Sequence, residues 1–160
     1  MIKLEARTKR VIQKAAAVSV SIILAGILVF GFFMFRDSFF ESTKMPKLVF
    51  DPFIIPAIWG IILVIMGAAL FFVVWEKAAP KRLSAGFAFV LTLVPFWQQI
   101  FFEKQNPGAT VIISACIIIL TVYSAACAKH SSKTAFWLMA ACLIPEAFML
   151  LVSYLVFMMN

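Results

Sequence analysis

Apolar residues form five long runs along the chain, and charged residues are concentrated in the tail and in the segments between the runs. The runs cover residues 11–35, 53–75, 83–102, 108–128 and 134–158. Each is long enough for an α-helix that crosses a bilayer core, which takes about 20 residues. Their apolar residues do not alternate with polar ones, as they would in a membrane-spanning strand. The pattern predicts an all-α integral membrane protein, a bundle of five transmembrane helices.

The composition leads to the same class of protein. Of the 160 residues, 64% are hydrophobic and 13% are charged, and the mean hydropathy is +1.06. A soluble domain has about a quarter of its residues charged, so this chain cannot cover its surface with polar groups. We therefore expect a single membrane domain over residues 1–160. Only the loop at residues 36–52 is long, and the short connections place the helices that they join antiparallel.

Lysine and arginine are distributed unequally between the two predicted faces of the membrane. The N-terminal tail together with Lys14 and the second and fourth connections carry ten, and the opposite face carries four. The positive-inside rule then predicts a cytoplasmic N-terminus, with the C-terminus and the loop 36–52 outside. Because the net charge of +7 serves orientation and contact with anionic lipid, we do not expect a nucleic acid partner.

Two of the four tryptophans lie at similar depths beneath the long loop. By helix rise, Trp59 is about 9 Å and Trp97 about 7.5 Å from the predicted outer face. Two interpretations stay open for this pair. The indoles are the walls of an aromatic pocket for a flat apolar ligand, or they belong to the belt of tryptophans found at membrane interfaces. We expect Trp75 and Trp137, at the inner boundary, to be belt residues.

Glu146 lies near the middle of the fifth run, where an ionised carboxylate is costly. The sequence offers no lysine or arginine at that depth, so we expect a neutral acid. It is either a structural hydrogen-bonding group or a group that binds a ligand or a proton. Its candidate partners are Gln98, Gln99, Thr121 and Tyr123.

Three prolines, Pro56, Pro95 and Pro145, are expected to interrupt their helices, and such breaks in a membrane favour a cavity. The residues that catalysis needs do not occur in recognisable patterns. His130 is in a loop far from the tryptophan pair, the three cysteines have no C-x-x-C spacing, and no phosphate loop is present. We therefore predict no enzymatic activity, no metal site and no cofactor.

Two stretches are similar to a known family. Residues 97–107 read W-Q-Q-I-F-F-E-K-Q-N-P, which resembles the W-S-P-L-F-F-G-L-R-N-P at the end of the third helix in the TspO/MBR family. These are the tryptophan-rich sensory proteins related to the mitochondrial translocator protein. The second stretch contains Trp59 followed by the pair Met66 and Gly67. It resembles the second helix of the family, in which a tryptophan precedes a Met-Gly pair at the same distance.

The chain departs from the family at several positions. Val94 stands where the family has an asparagine, and Pro145, Glu146 and Met149 stand where it reads P-Y-x-x-W. Phe157 replaces a further asparagine near the C-terminus. The chain is therefore similar to a divergent member.

The resemblance implies a binding protein or receptor for a flat lipophilic molecule, because family members bind porphyrins and sterol-like molecules as sensors or carriers. Porphyrin or haem is then a candidate ligand, and membrane lipid is the other partner. Two alternatives stay open: a small transporter in which Glu146 takes up and releases a proton, and a structural membrane subunit without a ligand. A homodimer is also left open. The residues expected at the ligand are Pro56, Trp59, Trp97, Gln98, Phe101 and Glu146.

Overall fold

The computed structural model describes four helices and one π-helical turn. They are α1 (Ile54–Glu76), α2 (Lys81–Gln98), the π turn (Gln99–Glu103), α3 (Pro107–Lys129) and α4 (Lys133–Met159). The described residues are 12, 19, 23, 26, 27, 43–46, 49, 51, 53–76 and 81–160, and no strand occurs among them. Four of the five predicted spans are thus present as helices. The first predicted span, 11–35, lies outside the described residues except for five positions, so it stays a prediction.

All four helices are long and apolar enough to cross a membrane. Large apolar side chains on their outer faces are exposed, among them Ile112 at 66% and Ile144 at 78%. A continuous apolar surface of this kind is unfavourable in water and favourable against lipid tails. The chain is an integral, multi-pass membrane protein, as its composition predicts.

Short polar side chains set the starts of three helices. Asp51 accepts a hydrogen bond from the backbone N–H of Phe53 at 2.8 Å, just before α1. Asn106 accepts from Ala109 at 3.1 Å before α3, and Ser132 accepts from the third residue of α4 at 3.3 Å. Because the first N–H groups of a helix have no partner within the helix, these caps fix where each span begins.

The helices do not pack equally on one another. α4 packs along α3 and also contacts α1, while α2 packs on α3 as well. α1 and α2 meet more sparsely. We call the end of the bundle that contains the starts of α1 and α3 and the end of α4 the loop end.

The last residue of the chain ties the loop to α4 at the loop end. The Asn160 side chain accepts a hydrogen bond from the backbone N–H of Lys44 at 2.8 Å. It also donates to the Lys44 carbonyl at 3.0 Å and to the Val156 carbonyl at 2.9 Å. Val49, a few residues further along, is only 8% exposed and belongs to the core. The described part of the loop is therefore held against the bundle.

The prolines interrupt the helices less than the sequence suggests. Pro56 lies in the first turn of α1, where its missing N–H is not needed by the helix. α4 continues as an α-helix on both sides of Pro145, so any opening there is limited to the hydrogen bond that proline cannot donate. Only Pro95 is followed by a change of helix type, since the π turn begins four residues later. The expectation of an interrupted helix is therefore wrong for Pro56, and at Pro145 the interruption is limited to one hydrogen bond.

Candidate ligand-binding site

The two tryptophans beneath the loop are in contact inside the protein. The ring centroids of Trp59 on α1 and Trp97 on α2 are 5.3 Å apart, with their planes at 57°. Trp59 is 1% exposed and Trp97 is fully buried. An interfacial belt residue presents its ring to the lipid headgroups, so the belt interpretation is wrong for this pair.

The π turn adds two phenylalanines to the pair. Phe101 stacks on Trp97 with centroids 4.7 Å apart and planes at 12°, and Phe102 meets Phe101 edge to face at 5.1 Å. We call these four residues, Trp59, Trp97, Phe101 and Phe102, the aromatic cluster. A flat ligand between the two indoles would need them about 7 Å apart, twice an ordinary contact distance. The indoles therefore form one continuous wall, and they are not two walls that face each other.

The two indole N–H groups have different surroundings. Trp97 Nε1 donates to Ser114 Oγ at 2.8 Å. Ser114 Oγ lies 3.5 Å from Ser153 Oγ, which in turn donates to the Met149 carbonyl at 2.9 Å. Trp59 Nε1 is buried and has no hydrogen-bond partner among the described residues. Because a buried donor without an acceptor costs about 1 to 3 kcal/mol, this N–H is an unused binding group.

The carboxyl group of Glu146 on α4 is a second buried polar group, in addition to the N–H of Trp59. Its side chain is 1% exposed, and its Oε1 accepts a hydrogen bond from Thr121 Oγ1 at 2.8 Å. Its other oxygen, Oε2, has no partner in the described part of the chain. Thr121 was one of the four candidate partners predicted from the sequence. Two others lie elsewhere, since Gln99 donates to Glu103 at 3.1 Å and Tyr123 is 45% exposed.

The depth of Glu146 follows from the register of the antiparallel helices. Ser153 meets Ser114, and seven residues deeper on both helices Glu146 meets Thr121. Seven residues correspond to about 10.5 Å at the rise of an α-helix. The Cys142 thiol on α4 lies 4.0 Å from the carbonyl oxygen of Ile62 on α1, so these two residues are at the same level. The backbones of Trp59 and Glu146 are therefore at nearly the same depth.

The remaining predicted site residues have varied positions. Pro56 is buried one turn before Trp59, and Gln98 is buried next to Trp97 in the chain. Trp137 is 69% exposed on α4, which agrees with a belt position. The side chain of Trp75 lies outside the part that the structure describes. The structure thus joins Trp59, Trp97 and Phe101 in the aromatic cluster and places Glu146 beside Thr121.

Sequence reasoning missed Ser114 and Ser153, the residues that hold Trp97 in place. A signal for the first was present, because hydroxyl residues recur on α3 at spacings of three, four and seven. Such spacings place side chains on one face of a helix. Each of these side chains is buried in the structure. They are Thr110, Ser114, Thr121 and Ser124.

The comparisons with known proteins identify one family. The profile of the TspO/MBR family matches residues 17–159, which is nearly the whole chain. The match includes α1 to α4 and both stretches that resemble the family in sequence. No curated protein gives a significant match.

Proposed function

We propose, because the chain belongs to the TspO/MBR family, that it is a membrane-embedded receptor or carrier that binds one flat lipophilic molecule beside the aromatic cluster. The observation that supports this most is the buried N–H of Trp59, which has no acceptor among the described residues. A buried indole N–H usually has a hydrogen-bond partner, and a ligand atom would provide one.

The aromatic cluster suits a flat apolar molecule. The rings of Trp59, Trp97 and Phe101 provide aromatic surface on which fused or conjugated rings would pack, and burial of such rings removes their apolar surface from contact with other surroundings. Porphyrins and sterol-like molecules, the ligands that the family implies, both have such a body.

Binding of pyrenemethanol, a flat neutral fluorophore, tests this proposal. We expect a saturable rise in pyrene anisotropy and a higher unfolding temperature when the probe is added, since a ligand selective for the native state stabilises it. Trp59→Phe keeps a six-membered aromatic ring and removes the five-membered ring with its N–H, so it should weaken binding about fivefold.

Trp137→Phe is the matched control, because the same change is made at an exposed indole. It should leave the affinity unchanged. A complete lack of saturable binding would support the structural subunit instead, and equal losses in both variants would remove Trp59 from the site.

Glu146 favours a second candidate function, a proton-coupled transporter. It is a carboxyl group in the middle of a membrane span, and one of its oxygens has no partner among the residues that the structure describes. Buried acids of this kind are found in proton pathways. Uptake of the probe into vesicles should then depend on a pH gradient, and Glu146→Gln should remove that dependence, because an amide does not titrate.

The orientation in the membrane is part of the proposal. Ten basic residues on one face favour a cytoplasmic N-terminus and place the loop end outside. A reporter fused after Asn160 should be active only outside the cytoplasm, and one fused after Lys81 only inside. The reverse result would place the aromatic cluster near the cytoplasmic face.

A further inference from the structure

The buried polar groups of the described residues include one acid and no base. No lysine, arginine or histidine is among them, and Lys44, Lys104, Lys129 and Lys133 are all exposed. A negatively charged ligand group would thus find no buried cation in this part of the chain. The buried polar residues are Gln98, Thr110, Ser114, Thr121, Ser124, Ser132, Glu146 and Ser153.

Glu146 has the free position that a ligand would need. Thr121 occupies Oε1 and holds the carboxyl in place, while Oε2 is buried and has no partner in the described part of the chain. The backbone of Glu146 on α4 is also nearly level with the backbone of Trp59 on α1, and these two helices pack against each other. One donor on α1 and one carboxyl oxygen on α4 are therefore both buried and unused.

We propose that Glu146 binds the polar end of the ligand, and that this ligand has an ammonium or hydroxyl group on its flat apolar body and no carboxylate. This inference rests on the proposed function, since it assigns the chemistry of the molecule bound at that site. It separates the chain from a receptor for porphyrins that carry carboxylate groups.

The ranking of ligands follows from the cost of burying charge. An ammonium group that enters beside Glu146 favours release of the acid's proton to water, so that the ammonium is paired with a carboxylate and forms a charge-assisted hydrogen bond. A hydroxyl group forms one neutral hydrogen bond with Oε2. A carboxylate would be buried without an opposite charge and next to another acid, which is the least favourable arrangement. The amine should therefore bind most tightly and the carboxylate least.

Three pyrene probes test this ranking, because they share one flat body and differ only in the polar group. They are pyrenemethylamine, pyrenemethanol and pyrenecarboxylic acid. Affinities are measured by anisotropy in nanodiscs of uncharged phosphatidylcholine and corrected for partition into discs without protein. We expect the parent protein to bind the amine at least about tenfold more tightly than the carboxylate.

Glu146→Gln then shows whether the carboxyl group of Glu146 causes the preference for the amine. The variant should bind the amine about tenfold more weakly than the parent protein does, because the amide has no charge. Its affinity for the alcohol should stay within about threefold of the parent value, because the amide still forms hydrogen bonds. The alcohol affinity also reports whether the variant has folded. Glu103→Gln makes the same change at an exposed acid and should alter none of the three affinities.

The outcomes separate this inference from the proposed function. Equal affinities for amine and carboxylate in the parent protein would overturn the inference and leave the lipophilic site standing. An equal loss for all three probes in Glu146→Gln would also overturn it, since the residue would then act on the shape of the site alone. If none of the probes binds saturably, the site itself is wrong, and both proposals fail.

Discussion

Two polar pairs cross the interface between α3 and α4, two helical turns apart, and they differ in how completely they are hydrogen bonded. Near the loop end, Ser114 lies beside Ser153 and accepts a hydrogen bond from Trp97. Ser153 in turn donates a hydrogen bond to a backbone carbonyl of α4. Deeper in the span, Thr121 donates a hydrogen bond to Glu146, and the second oxygen of the carboxyl has no partner within the described ranges.

The difference separates a structural pair from a candidate functional one. The Ser114 and Ser153 pair uses each of its protons and fixes Trp97 of α2 to both α3 and α4. It therefore stabilises the arrangement and offers nothing to a ligand. The Thr121 and Glu146 pair holds a carboxyl in place and leaves one strong acceptor open. A buried polar group that is only half satisfied costs stability, and a binding function is a physical reason to retain it.

The largest effect is expected from a substitution that disturbs the packing of α2 on α3, the helix to which both polar pairs belong. A Cβ atom at Gly86 on α2 would lie 2.5 Å from Ser124 Oγ on α3, so the two helices are close at this point. Gly86→Val should force them apart and lower the free energy of unfolding by about 2 to 3 kcal/mol, as overpacking does. Reversible unfolding in mixed micelles with increasing dodecyl sulfate measures this loss.

Ser124→Ala provides the control, since it removes the oxygen that a new Cβ would meet. The cost of Gly86→Ala should be smaller in the Ser124→Ala background than in the parent protein. The same cost in both backgrounds would mean that Gly86 does not set the distance between α2 and α3.

An intermediate effect is expected from the hydrogen-bonded pair near the loop end. Ser114→Ala leaves the buried indole N–H of Trp97 without an acceptor, so it should lower the free energy of unfolding by about 1 to 2 kcal/mol. The same titration measures it. In a Trp97→Phe background the cost should fall, because there is no longer a donor to satisfy. A cost that persists there would show that Ser114 acts through packing alone.

The smallest effect is expected at Glu146. Glu146→Gln keeps the oxygen that accepts from Thr121, so the free energy of unfolding should change by less than about 1 kcal/mol. Glu146→Leu removes that acceptor and should cost more than the glutamine variant does. If Glu146→Gln instead destabilises the protein more than Ser114→Ala does, the deeper pair is structural, and the contrast between the two pairs is wrong.

Much of the fold could be predicted from the sequence because its signals are local. Lengths of apolar sequence define the spans, and caps such as Asp51 and Asn106 mark their starts within a few residues of the chain. The aromatic stretch from Trp97 to Phe102 was also visible, both by its composition and by its likeness to the family. The partner of Trp97 was not, because Ser114 is one of several hydroxyl residues on α3, and nothing local distinguishes it from the others.

The sequence by itself determined that this is a multi-pass helical membrane protein, that Trp59 and Trp97 belong to one region, and that Glu146 is unusual. These conclusions need only hydropathy, helix length and residue type. The tertiary structure decided which side chains meet: Trp97 with Ser114, Thr121 with Glu146, and Trp59 with the ring of Trp97 instead of lipid. It also left Trp59 Nε1 and Glu146 Oε2 without hydrogen-bond partners among the described residues. The physical reason is that a hydrogen bond depends on distances of a few tenths of an ångström between different helices, and the register and rotation of those helices are set by packing over their whole lengths.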